Sequence, residues 1–190
     1  MSEMTEMPTK RDEILDTAER MIRTAGYNGF STRDVANAVG IKAASVHYYF
    51  PTKSDIGVAV TERYTERFLE RLGDPTAFEG AHKKAIEHYV DAFRDALVQD
   101  GNVCLCAVLG AETGGLPTEV GGHARIFFER NLAWLKKALA ASSRVSAKEA
   151  QAQAIHILAA VEGAMILSTS LGNDTVFNSV AGSLAQIADD

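Results

Sequence analysis

The sequence predicts an all-α fold, with a small N-terminal helical unit followed by a larger helical body. Three observations carry this. Apolar residues recur at three- and four-residue spacing through most of the 190-residue chain. A hydroxyl residue stands three places before an Asp at Thr9/Asp12, Ser31/Asp34 and Thr52/Asp55, the pattern of reciprocal capping at a helix start. No segment alternates apolar and polar residues as a half-buried strand does. With 46% hydrophobic residues and only 4 Pro, the chain can bury a substantial core.

The elements follow in order. "TKRDEILDTAERMIRTAG" is a helix with Ile14, Ala18, Met21, Ile22 and Ala25 on one face and Gly26 as its stop. After "YNG", Ser31 opens a short second helix carrying Val35, Ala38 and Val39 and closed by Gly40. Residues from about Lys42 to Tyr49 form a third, and Thr52 opens a fourth that reaches roughly Leu72. The stretch "GDPT", residues 73 to 76, breaks the pattern and marks the start of a second part. There, Ala77 to Val98 and Val103 to Ala111 read as helices. So does "TEVGGHARIFFERNLAWLKKAL", with Val120, Ala124, Phe127, Leu135 and Leu139 in register; its Gly121-Gly122 pair is expected to kink or delay the first turn.

The last two helices have a different character. "AQAIHILAAVEGAMILSTSLG" is apolar almost all round, with a stripe of small residues at Ala160, Ala164, Ser168 and Gly172 that admits another backbone closely. "DTVFNSVAGSLAQIA" adds a seam of Phe177, Val180, Leu184 and Ile187. Together they suggest a homodimer through a four-helix bundle, with intrachain core as the plainer alternative.

Charge and composition exclude several classes. The net charge is −6 and the pI about 5.4, which argues against a general nucleic-acid coat or a membrane-surface protein. The start "MSEMTEMPTK" lacks an apolar signal region, and no run of about 18 uninterrupted apolar residues follows, so a cytoplasmic protein with no membrane partner is expected. No Gly-rich phosphate loop, metal-ligand cluster or nucleophile–base spacing appears, so no enzyme, metal or cofactor is expected. Cys104 and Cys106, if helical, point about 200° apart and neither bridge nor hold a metal with His82, His88 or His123.

Against this acidic background the segment of residues 31 to 53, which holds "IKAASVHYYFPTK" at 41 to 53, is locally positive: Arg33, Lys42 and Lys53 face only Asp34. Gly26 and Gly40 bracket the second helix, and the tight link to the third is a helix-turn-helix arrangement. Ala43, Ala44 and Ser45 are small enough to let the backbone lie in a major groove, and Ser45 can hydrogen-bond to a base edge. His47, Tyr48 and Tyr49 offer long polar tips. Two adjacent aromatics cannot both face one core. Lys53 stands in the first turn of the next helix, where its charge and free N–H groups suit a phosphate.

These residues, in "GFSTRDVANAVGIKAASVHYYFPTKSDIG", resemble the N-terminal domain of the tetracycline-repressor (TetR) family over about residues 10 to 57. The resemblance implies a DNA-binding domain at 1–56 and a ligand-binding and dimerisation domain at 57–190. By it Thr32 and Arg33 touch the DNA backbone or a base edge, Ala43 to Ser45 with Tyr48 lie in the groove, and Tyr49 and Lys53 hold phosphates. His47, where the family commonly has Tyr, and Lys42, where Ser or Thr commonly caps, are departures. The first redirects a phosphate contact and the second adds a charge. The implied function is a ligand-responsive transcriptional regulator, of repressor type, that binds a palindromic operator as a homodimer and is released by a small-molecule effector.

Candidate effector contacts are Phe68, Tyr89, Phe93, Cys106, Phe127, Trp134 and Met165, with the same aromatics equally suited to plain core. Glu162, a carboxylate inside "AAVEGAM", needs a pocket wall or an ion pair across a dimer. Two other readings remain open at this point: a thiol that senses an electrophile or oxidant, since "VCLCAVLGAE" is similar to one branch of the family that responds to reactive compounds, and a helical binding module without DNA activity.

Overall fold

The computed structural model describes residues 8–100, 102–140 and 146–186. Among the described residues there is no strand; the helices are α1 (Lys10–Ala25), α2 (Thr32–Val39), α3 (Ala43–Tyr49), α4 (Lys53–Leu72), α5 (His82–Asp100), α6 (Leu105–Ala111), α7 (Thr118–Ala140), α8 (Ala147–Leu171) and α9 (Thr175–Gln186). All three expected capping boxes form. Thr9, Ser31 and Thr52 accept the N–H of Asp12, Asp34 and Asp55 at 3.2, 3.2 and 3.1 Å, and each Asp carboxylate accepts the N–H of its cap. Ser146 and Glu149 make a fourth at the start of α8.

The head is α1 to α3 with the start of α4, closed over Ile14, Leu15, Ile22, Val35, Val46, Phe50 and Ile56, all of them buried. At 20 residues, α4 is about 30 Å long and runs unbroken from the head into the body. A division after residue 56 therefore falls inside one helix, which both parts share. The body packs α4, α5, α7 and α8 around an aromatic core, and α9 lies against α8 and α5.

Four expectations need correcting. The fifth helix starts at His82 rather than Ala77: Pro75 instead opens a 3₁₀ turn, Asp74 Oδ1 accepts from the Thr76 N–H at 2.9 Å, and Gly80 at φ 73° turns the chain. The sixth starts at Leu105, with Cys104 as its extended N-cap, so the 200° divergence of the two thiols does not apply. Gly121-Gly122 leave α7 continuous. The small stripe and the apolar seam serve the chain's own core. Ala164 and Ser168 are buried, Ser168 Oγ accepts the Phe177 N–H at 2.9 Å, and Phe177 and Leu184 face inward, while Gly172 ends α8 in the left-handed conformation. Ile187 lies outside the described residues. A different, outward face of α8 carries Ile155, Ile166, Leu167 and Leu171 in the open. This helix is long and apolar enough to cross a membrane by length and composition, yet it is an integral part of the packed body.

Candidate functional site

The polar face of the head is formed by α2, α3 and the N-terminus of α4. Gly40, in the left-handed conformation at φ 72°, ends α2 and lets the chain turn within two residues into α3. Val46 and Phe50 anchor α3 in the core. The other side of α3 is open: Lys42, Ala44, Ser45, His47, Tyr48 and Tyr49 are all exposed, and so is Arg33 on α2. Thr32 and Ala43 are half-buried at the margin. Tyr48 is 84% exposed and meets Tyr49 edge-on at 5.3 Å between ring centres. A phenol ring held so far into solvent beside a second one is unusual for a packing residue and ordinary for a contact residue.

Two members of this face sit differently from expectation. Lys53 is half-buried, its ammonium 4.5 Å from the centre of the Tyr27 ring and 4.6 Å from that of Phe30. Burial lowers its pKa, while the carboxylates of Glu112 and Asp34 act to raise it. His47 turns its Nδ1 to the Pro51 carbonyl at 3.1 Å, which makes Nδ1 the donor and leaves Nε2 outward. Arg11, which no sequence motif singles out, lies 5.3 Å from the centre of the Phe50 ring and lines a surface cavity with Tyr49 and Thr52, adding positive charge to the same side.

In the body the candidate effector residues come together. Phe68 is the hub, 4.7 Å from Phe93, 5.4 Å from Phe127 and 6.3 Å from Tyr89. Tyr89 stacks on Trp134 at 5.7 Å and donates to Asn131 Oδ1 at 2.9 Å. All of these, with Met165, are buried. Phe68 and Trp134 each line a cleft of about 490 Å³, on opposite sides of α4.

Beside this core lies a polar group of four: Tyr64, Cys104, Cys106 and Glu162. Glu162 is 8% exposed, and neither its oxygens nor the Tyr64 hydroxyl completes a hydrogen bond. Burial holds the Glu162 carboxyl well above its usual range, and the Cys104 sulfur beside it pushes the same way. Burial also acts to raise Cys104, but the neighbouring Cys106 thiol, Tyr64 hydroxyl and Ala107 N–H outweigh it and bring the thiol down to about 6. Cys106 is pushed up by burial and by Cys104. Cys106, a candidate effector contact, is buried beside Cys104, and the sequence left open which of the two thiols is the reactive one; their surroundings push Cys104 down and Cys106 up. The signal for Cys104 was local: a residue just before an apolar helix is a cap, and a thiolate is favoured at a helix N-terminus.

Head and body are tied through α6. Arg23 of α1 donates to the carbonyls of Asn102 and Val103 at 2.9 Å each, just ahead of Cys104. Glu112, the C-cap of α6, accepts the Tyr27 N–H at 3.0 Å. The fold and site thus define a helix-turn-helix DNA-binding protein with a helical regulatory body. Residues 14–60 match the family described as "Bacterial regulatory proteins, tetR family", and residues 83–183 match "Transcriptional regulator LmrA/YxaF-like, C-terminal domain". A TetR transcriptional regulator from Legionella pneumophila is 30% identical, with 96% of this chain and 99% of that one superposing at a TM-score of 0.90. The HTH-type transcriptional repressor NemR of Escherichia coli K12 is 27% identical over 123 residues, 63% of this chain and 61% of NemR. The biofilm operon regulator IcaR of Staphylococcus aureus strain Newman is 39% identical over 46 residues, 24% of this chain and 25% of IcaR. The matched stretch is thus less than two thirds of either curated relative. The chain belongs to the TetR family of bacterial transcriptional regulators.

Proposed function

We propose that the chain is an effector-responsive transcriptional repressor that acts in the cytoplasm, binding a palindromic operator as a homodimer and leaving it when a small molecule binds the body. The observation that carries this is the open side of α3. It sets small residues first and then two projecting tyrosines against a chain whose bulk is acidic. Ala44, Ser45 and Tyr48 enter the major groove. Arg33, Lys42, Tyr49 and Lys53 meet the flanking phosphates, and His47 offers Nε2 there, with Thr32 and Ala43 supporting from the margin. The two reading helices of a dimer must stand about 34–36 Å apart to fit successive grooves. The outward apolar face of α8, with Ile155, Ile166, Leu167 and Leu171, supports pairing through the last two helices. Titrating the protein into fluorescent DNA taken from beside its own gene tests the reading. Saturable binding at nanomolar to micromolar protein supports it; equal binding to unrelated DNA at every salt concentration makes it a module without operator function.

One observation favours a second trigger: Cys104 is the N-cap of α6, among Cys106, Tyr64 and Glu162, with the Ala107 N–H acting to favour its thiolate. A thiolate there would attack an electrophile, its sulfur forming the new bond while the electrophile takes the electron pair. Treatment with N-ethylmaleimide should then lower DNA affinity in the native protein and in Cys106→Ser but not in Cys104→Ser. DNA affinity unchanged by full alkylation of the native protein removes this trigger.

A further inference from the structure

The cleft on the α1 side of α4 has features that neither the DNA-binding face nor the aromatic core accounts for. Its volume is about 490 Å³, within the range of roughly 300–1,000 Å³ usual for small-molecule sites. Asp16, Glu19, Arg20 and Arg23 of α1 form one wall, Tyr64, Arg67, Phe68 and Arg71 of α4 the other, and Ala96 with Asn102 close the end. It therefore spans the joint between head and body.

Its charges divide into two sets. Glu19, itself buried, takes Arg67 at 2.5 Å and lies 3.6 Å from Arg63, and Asp16 takes Arg63 at 2.7 Å. Arg23 is buried and committed to the carbonyls of Asn102 and Val103, in the turn that follows α5. The two carboxylates are matched by Arg63 and Arg67, and Arg23 is held by backbone carbonyls. Arg20 and Arg71 are left at the mouth. Both are exposed; Arg20 has only the Thr17 hydroxyl at 3.2 Å, and Arg71 makes no hydrogen bond or ion pair with any described residue. Below them lie the rings of Tyr64 and Phe68, nearly parallel at 17° with centres 6.5 Å apart, both buried and continuous with the aromatic core. Two available guanidinium groups above an apolar floor suit a ligand with one anionic end and an apolar body. A carboxylate is a planar, singly charged acceptor that a guanidinium fork matches.

The geometry points to this cleft as the site of an amphiphilic organic monocarboxylate, with the carboxylate between Arg20 and Arg71 and the hydrocarbon on Tyr64 and Phe68. This inference rests on the regulator reading for its consequence, since a ligand touching α1 and α4–α5 together fixes the angle between head and body. The binding itself does not depend on that reading.

Calorimetric titration of the full chain with octanoate and 1-naphthoate tests it, with 1-octanol and naphthalene-1-methanol as uncharged counterparts. One carboxylate per chain is expected, bound at least tenfold more tightly than its alcohol. The Arg20→Ala/Arg71→Ala double variant should lose about tenfold while its melting temperature stays that of the native protein, because neither side chain supports the fold. If neither acid binds at millimolar concentration, if acid and alcohol bind equally, or if the double variant binds octanoate as the native protein does, the assignment is overturned. DNA binding is measured on the same samples. A protein that never binds DNA yet shows arginine-dependent octanoate binding refutes the regulator reading and upholds the cleft; a protein that binds DNA but no carboxylate does the reverse.

Discussion

Lys53 provides the sharpest test of the DNA-binding face, because the structure gives it a competing seat. In the free protein its ammonium rests on Tyr27 and Phe30 at 4.5 and 4.6 Å. Partly exposed cation–π contacts contribute about 0.5–1 kcal/mol, and burial, which lowers the Lys53 pKa, works against them. Lys53→Met keeps the apolar stem over the rings and removes only the charge, so stability should change by less than about 1 kcal/mol. The effect on DNA binding is larger and of a different kind. If Lys53 moves to a phosphate in the complex, each subunit of a dimer loses one counterion-releasing contact, and the slope of log K against log salt falls by about 0.9 per contact, about 1.8 in all. Between 50 and 200 mM KCl that amounts to roughly a twelvefold difference in how far affinity drops. Fluorescence anisotropy with the same labelled fragment across that range measures it. Parallel salt slopes for the native protein and Lys53→Met would show that the lysine stays on its rings, and the phosphate role would be refuted.

Three further outcomes follow from the same structure. Gly26→Ala should cost about 2–3 kcal/mol by urea denaturation, because φ 78° with ψ 167° is a region essentially reserved for glycine and the added Cβ would collide with the Glu112 carboxylate. Glu162→Gln should be more stable than the native protein, with a gain that grows as pH rises from about 4.5 to about 6. In that window the unfolded chain releases the Glu162 proton while the folded chain, whose carboxyl is raised by burial, retains it, so native stability falls by up to about 1.4 kcal/mol per pH unit; above about 6 the ionisation of Cys104 acts in the opposite direction. Leu167→Glu, on the open face of α8, should leave the melting of the monomer fold within about 0.5 kcal/mol but shift sedimentation toward monomer and weaken DNA binding at least tenfold; an unchanged dimer would place the interface elsewhere.

What the sequence made legible was local. A capping box needs only two side chains three residues apart, so Thr9, Ser31 and Thr52 announced their helices correctly, and the adjacent Tyr48 and Tyr49 had to leave one ring outside. What it hid depended on distant partners or on turn chemistry. The Lys53 seat is made by Tyr27 and Phe30, on the far side of α2, and no spacing connects them. Cys104 was misjudged because helical rotation was assumed from Val103, two residues before the helix begins at Leu105. Phe177 and Leu184 showed a true apolar face, but periodicity says that a face is covered, never by what, and here the cover is the chain's own core. The arginine pair at the α1–α4 cleft was invisible for the same reason: Arg20 and Arg71 each look like solvated charge until the fold sets them over Tyr64 and Phe68.

The placement of α6 links these parts. It is only seven residues long, and both of its ends are held by the same corner of the head: Arg23 bonds the turn before it, and Glu112 at its close bonds Tyr27. Each is a charge-assisted hydrogen bond, of a kind that contributes about 1.5–3 kcal/mol, so a shift of α6 cannot leave the Gly26–Tyr27 corner where it was. Tyr27 is also half of the ring seat under Lys53. A displacement that begins at Cys104, at the start of α6, or in the cleft that Arg23 and Asn102 help to line thus reaches Lys53 through the hydrogen bonds at the two ends of α6 and the Tyr27 ring. Coupling between effector and DNA commonly amounts to about 1–3 kcal/mol, no more than one of these bonds supplies. An effector that favours one position of α6 over another therefore biases the seat of Lys53 by the difference in its two affinities, and a ligand indifferent to that position leaves the DNA bound.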